Sequence, residues 1–154
     1  METYTVKNLL KESVYIETLN RVEKLRPDSA RKWGTMSVGQ MMLHCVEGFR
    51  IPLSEKRYHR KLFFYLIGWY YAPLLYNDQP WKQNMRTGKN FIIQKEPDFD
   101  QARLKLLSTI QTFYQNRASR VHNKIHPLFG KFSSEQWGRN LWKHLDHHLR
   151  QFGV

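Results

Sequence analysis

Residues Ser133 to Phe152 read SSEQWGRNLWKHLDHHLRQF. Ser133 followed by Gln136 is a helix start signal, because each of these side chains can satisfy a backbone N–H in the first turn. No proline interrupts the stretch, and Gly153 stands just beyond it, where a helix-ending glycine belongs. Trp137, Leu141, His144 and His148 are spaced by four, three and four residues, so they share one helical stripe. A stripe of this kind faces a core. This one ends in two imidazoles, and burying an imidazole costs free energy unless it meets a partner.

Such a stripe needs other helices to pack against. Residues 6–26 supply one, with Val6, Leu9, Ile16, Leu19, Val22 and Leu25 at helical spacing and Pro27 as the stop. Ser37 and Gln40 form a second capping box, opening a helix to about Ile51, before Pro52. Its apolar stripe is Val38, Met41 or Met42, Cys45 and Phe49, with His44 on the flank and Gly48 allowing close approach. A third runs from about Asp98 to Arg120, on Phe99, Ala102, Leu106, Ile110 and Phe113.

Between the second and third helices lies a segment, Lys56 to Tyr76, whose apolar, aromatic run of about fifteen residues is shorter than the roughly 20 needed to span a bilayer. It reads as a helix packed on the bundle or as the contact surface of a homodimer, with an interfacial membrane anchor as the other option. Asn77 to Pro97 reads as a long loop of the kind that covers sites. Phe91-Ile92-Ile93 is the only short strand candidate. The fold class is therefore all-α: a single domain over residues 1–154, a four-helix bundle with an extra aromatic helical segment between bundle helices two and three.

With 154 residues, 41% of them hydrophobic, the chain can bury a core. A lone cysteine, Cys45, and an N-terminus without a signal-peptide layout point to the cytoplasm and exclude an intrachain disulfide. The net charge of +12 concentrates in two acid-free stretches, Lys56–Asn77 and Gln101–Ser134. No zinc-finger spacing, RNA-binding aromatic motif or helix-turn-helix accompanies that charge, so no specific nucleic-acid partner is expected. No Gly-x-Ser-x-Gly elbow, phosphate loop or dinucleotide fingerprint is present, and Leu145 stands where a zincin helix needs glutamate. Cys45 reads as inert packing rather than a nucleophile.

Seven histidines remain to be explained. His144 and His148 can each direct a ring nitrogen at one ion, and His44 on another helix can complete a three-nitrogen face with an open position for water or substrate. Periodicity alone leaves the other reading open, in which each is a hydrogen-bonded core residue. Three imidazoles suit zinc, nickel or iron, and copper as well.

The sequence carries more than periodicity. Trp33-Gly34 precedes Ser37-Val38-Gly39-Gln40-Met41 and His44; His126-Pro127-Leu128-Phe129-Gly130 and Trp137 follow, then His144-Leu145-Asp146-His147-His148-Leu149-Arg150-Gln151-Phe152-Gly153. This resembles the DinB/YfiT-like superfamily of metalloenzymes, in a bacterial branch with HPxFG and HLDHHLRQFG signatures. The resemblance runs from the first helix to the C-terminus. It implies a four-helix bundle in a mirror variant of the up-and-down topology, with a divalent ion on His44, His144 and His148. His147, Arg150, Gln151 and His126 are then candidates for the surroundings of the ligands or the substrate side. Characterised relatives include low-molecular-weight-thiol S-transferases and a thiol-dependent maleylpyruvate isomerase, so the resemblance implies a small-molecule substrate and a thiol activated by the metal. Many relatives carry His-Arg-Gly-Gln here; Arg150 in place of the glycine implies a changed entrance or anion preference. Two other functions compete: a non-catalytic module that holds an anionic partner on its basic, aromatic surface, and a scaffold whose histidine site stays empty.

Overall fold

The computed structural model describes residues 4–54, 63–116, 124–126 and 128–154. The chain is mostly helical. Its elements are α1 (Glu12–Glu23), α2 (Val38–Gly48), α3 (Arg50–Leu53), α4 (Phe63–Tyr71), α5 (Phe99–Gln115) and α6 (Ser134–Gln151). Short 3-10 turns occupy Ala72–Leu75 and Lys89–Phe91, and a two-stranded antiparallel ribbon joins β1 (Lys124–His126) to β2 (Gly130–Phe132). No helix among the described residues is long and apolar enough to cross a membrane.

Both capping boxes form. The Ser37 side chain accepts from Gln40 N while Gln40 Oε1 accepts from Ser37 N, and Ser133 with Gln136 repeats the arrangement. These reciprocal bonds satisfy donors that the first helical turn leaves open. Asp98 caps α5 by accepting from Gln101 N at 2.9 Å. α2 packs most extensively on α5, α1 also lies on α5, and α6 contacts both α1 and α2. Met41, Met42, Cys45, Phe49, Leu106, Ile110, Phe113, Trp137, Leu141 and Leu145 fill the space between them, each 1% exposed or less. Complete burial of a side chain of this size is worth about 1.5–3 kcal/mol, so the periodic stripes supply the main cohesion.

Four boundaries differ from the sequence expectation. Val6 and Leu9 are buried but not helical: Val6 N donates to Asp78 Oδ1 and Leu9 N to the Gly138 carbonyl. The N-terminal segment thus lies along α6, where Gly138 leaves room for the Asn8 side chain. The second helix breaks at Phe49, because Pro52 has no N–H and its ring would clash with the carbonyl four residues back. The short strand candidate Phe91–Ile93 is not a strand; its first residue ends a 3-10 turn, and the strands occur instead at Lys124–His126 and Gly130–Phe132. Three residues per strand are too few to show a period of two. α5 ends at Gln115, and the rest of the expected helix, from Arg117 to Arg120, lies outside the described residues, as do Lys56 to Leu62 of the aromatic segment.

Candidate metal centre

α6 presents its stripe inward. Trp137 and Leu141 are 1% exposed, His148 is buried and His144 nearly so. Opposite them α2 supplies His44, also buried. Gly48 permits this meeting: a Cβ there would lie 2.8 Å from His144 Nδ1. One ring nitrogen from each of His44, His144 and His148 lies within 4.8 Å of the others, and among the described residues this is the one such group of His, Cys, Asp or Glu side chains.

The hydrogen bonds fix which nitrogens face inward. His44 Nδ1 lies 3.0 Å from the Phe91 carbonyl oxygen, which can only accept, so Nδ1 carries the proton and Nε2 a lone pair. Gln151 Nε2 donates to the Trp33 carbonyl at 2.7 Å, which directs Gln151 Oε1 to His148 Nδ1 at 2.9 Å. His148 therefore also offers Nε2. Partners of this kind on the outer nitrogen are what orient metal-binding imidazoles. His144 Nε2 lies 2.9 Å from His44 Nε2, so in this arrangement His144 donates its proton to the lone pair of His44.

Burial is the first cause of a lowered pKa at all three. His148 is pushed down to about 3, against the bond to Gln151; His44 is lowered despite the Phe91 carbonyl. His144 falls well below its ordinary value, with the neighbouring imidazoles adding to burial. At neutral pH the cluster holds uncharged rings, with the lone pairs of His44 and His148 directed inward, and neutral imidazole is the form in which histidine binds metal.

A family described as "Protein of unknown function (DUF1569)" matches residues 7–153. The chain belongs to this family. DUF1569 is grouped with the DinB/YfiT-like proteins. Comparison with curated proteins and with solved structures gave no match.

In this DUF1569 chain the cluster opens into a cavity of about 1260 Å³. The long loop from Asn77 to Pro97 contributes Trp81, Met85 and Phe91 to the lining, and the segment before α2 contributes Trp33. His147 lies outside the three-nitrogen group; it lines the cavity with its ring 5.6 Å from that of Trp33 and 6.0 Å from that of Trp81. His126 also lines the cavity, where its Nδ1 accepts from Leu128 N and Phe129 N and its ring stacks on Phe132. Arg150 is not at the cavity: it is exposed, 3.8 Å from Asp146 Oδ2, with its guanidinium 5.6 Å from the Tyr4 ring centre. His59 and His122 lie outside the described residues.

Two buried charges on α6 gave no signal in the sequence. Lys143, 1% exposed, donates to the Leu74 carbonyl, the Asn77 carbonyl and Asn77 Oδ1 at 2.7–3.1 Å. Burial pulls its pKa down to about 8, but the three oxygen acceptors hold an ammonium at neutral pH. Asp146 accepts from Tyr4 OH at 3.1 Å and Arg21 Nη1 at 2.9 Å. Both residues fasten other segments to α6.

Proposed function

We propose that this chain is a divalent-metal-dependent enzyme that holds its ion on His44, His144 and His148. We also propose that α1, α2, α5 and α6 form its four-helix bundle, in the mirror up-and-down topology of DinB-like proteins. The observation that carries the reading is the convergence of three neutral imidazoles, two of which have the outer nitrogen tied by a fixed acceptor.

The donor set fits an ion. Two metal–nitrogen bonds of about 2.0–2.1 Å at a right angle span about 2.9 Å, the separation of His44 Nε2 and His144 Nε2. The outer limit of 4.8 Å is wider than the about 4.1 Å that two such bonds span even in line, so the rings would have to draw together by side-chain rotation as an ion binds. When bound, the ion would lower the pKa of a water or a substrate thiol toward neutrality.

The rest of the chemistry belongs to the chain. Gln151 keeps His148 aimed at the cluster, and the Phe91 carbonyl does the same for His44. Trp33 and Trp81 flank His147 beside the cluster, and the cavity has room for both a small substrate and a low-molecular-weight thiol. Those features support transfer to or from a thiol sulfur as the reaction class. Trp69, Tyr70 and Tyr71 do not line the cavity, so a binding role for that surface would be additional.

Metal analysis of the protein prepared without a polyhistidine tag tests the ligand set. About one divalent ion per chain is expected in the wild type and almost none in His144→Ala or His148→Ala. Full occupancy in both variants rejects it.

A further inference from the structure

The C-terminal end of the aromatic helix α4 presents large side chains to water. Gly68 near its end and Ala72, which opens the 3-10 turn that follows, are buried. Trp69, Tyr70 and Tyr71 are 70%, 66% and 46% exposed, and Leu74 in the next turn is 49% exposed. A surface helix ordinarily turns its large apolar residues inward. Over Gly68–Leu74 the small side chains of Gly68 and Ala72 face the protein while Trp69, Tyr70, Tyr71 and Leu74 face out.

The base of this face is fixed. The Leu74 carbonyl accepts from Trp81 Nε1 at 3.1 Å and from Lys143 Nζ at 2.8 Å, and the Tyr76 carbonyl accepts from Arg139 Nε at 2.9 Å. Tyr70 lies edge-on to both Trp69 and Tyr71, with ring centres 6.0 Å and 5.1 Å apart. The exposure is therefore built into an anchored element.

The chemistry of the face identifies its occupant. Tryptophan and tyrosine have an apolar body and a polar tip, which suits them to the boundary between lipid headgroups and acyl chains. No acid occurs in the sequence from Lys56 to Asn77, which includes all of α4, and the whole chain carries +12. Lys131 is exposed on β2, which packs beside α4. A second copy of the chain on this face would set two acid-free runs against each other, whereas an anionic surface complements them. At about 1.5 Å per residue the described helix, Phe63–Tyr71, is far shorter than the roughly 30 Å of a bilayer core, which suits it to lying in the surface.

We propose that Trp69, Tyr70, Tyr71 and Leu74 dock this protein on the surface of an anionic phospholipid bilayer. The docking goes beyond the metal-site reading and does not depend on it. Leu75, next to Leu74, lines the cavity, so a docked molecule holds its cavity beside the membrane.

Co-sedimentation of the full chain with phosphatidylcholine vesicles, with and without phosphatidylserine, tests the proposal. Expected are binding that requires phosphatidylserine, weakening as salt is added, and an apparent affinity at least about tenfold lower in the variant Trp69→Ser/Tyr70→Ser/Leu74→Ser. The single variant Tyr70→Glu, which puts an acid on the same face at one exposed position, should also weaken binding and serves should the triple variant fail to fold. Absence of wild-type binding to phosphatidylserine vesicles at low salt overturns the proposal, and so does equal binding by a folded variant. Light scattering that shows a dimer dissolved by the same substitutions, without vesicle binding, would assign the face to a second copy and also overturn it.

Discussion

Gln151 connects two parts of the chain that are remote in sequence: its Oε1 receives His148 Nδ1 and its Nε2 reaches the Trp33 carbonyl. Gly34 makes the second bond possible, because it adopts a φ of +77° and a Cβ there would lie 2.5 Å from Gln151 Nε2. Gln151→Leu leaves His148 free to rotate and the Trp33 carbonyl without its donor. Divalent-metal affinity should then fall about 10–100-fold, the usual cost of losing an outer partner of a metal-binding histidine. Competition against a chromogenic chelator measures it, and an unchanged affinity would remove Gln151 from the site. At this scale the sequence was legible wherever periodicity applies: His144 and His148 fall on a stripe that must turn inward, His44 lies on the flank of another, and Gly48 is a gap that allows a close neighbour. Arg150 shows the same rule from the other side. Two residues beyond His148 it is rotated about 200° around the helix, toward Asp146 and Tyr4. Partners set by the path of a loop, such as the Phe91 carbonyl, leave no mark in residue spacing.

Among the elements, α6 was legible from cap to cap because every signal along it agrees: the Ser133–Gln136 box, the unbroken stripe and Gly153, whose φ is +80°. The N-terminal segment was not, because Val6 and Leu9 reach the core from non-helical backbone, Leu9 in a turn bonded to the Gly138 carbonyl of α6, and burial alone does not fix backbone conformation. What fastens loops to α6 is equally invisible in its stripe. Lys143 holds the turn at Leu74 and Asn77, so Lys143→Met should remove a donor from three oxygens, leave the Asn77 carbonyl without one and destabilise the fold by about 2–3 kcal/mol, read from the midpoint of urea unfolding. The ribbon gives a separate prediction. Burial lowers the pKa of His126 to about 4, against about 6.5 in the unfolded chain. Between those values the unfolded chain binds more protons than the native one, so stability falls as pH drops from about 6.5 toward 4. Replacing the ring in His126→Gln should make that decline shallower by up to one proton in the slope, measured by denaturation at a series of pH values. An identical slope would show that His126 is not held neutral.

At the scale of the whole molecule, the three imidazoles sit where α2 and α6 meet the loop that carries Phe91, so one small site draws on contributions from distant parts of the chain. His44 and His144 are 100 residues apart in sequence, and no comparable set of donors persists in an unfolded chain. An ion bound there stabilises only the native state, by an amount that grows with the ratio of free ion to dissociation constant. At about a hundredfold excess that is about 2.7 kcal/mol, and a domain of about 150 residues shifts its midpoint by roughly 2–4 °C per kcal/mol. Removing metal with a chelator should therefore lower the thermal midpoint by about 5–10 °C, and adding back zinc or nickel should restore it. His44→Ala separates this linkage from a general salt effect: it removes one ligand from α2 and leaves the α6 pair in place, so its midpoint should respond little to chelator or metal. A midpoint that moves equally in wild type and variant would place the ion elsewhere on the chain.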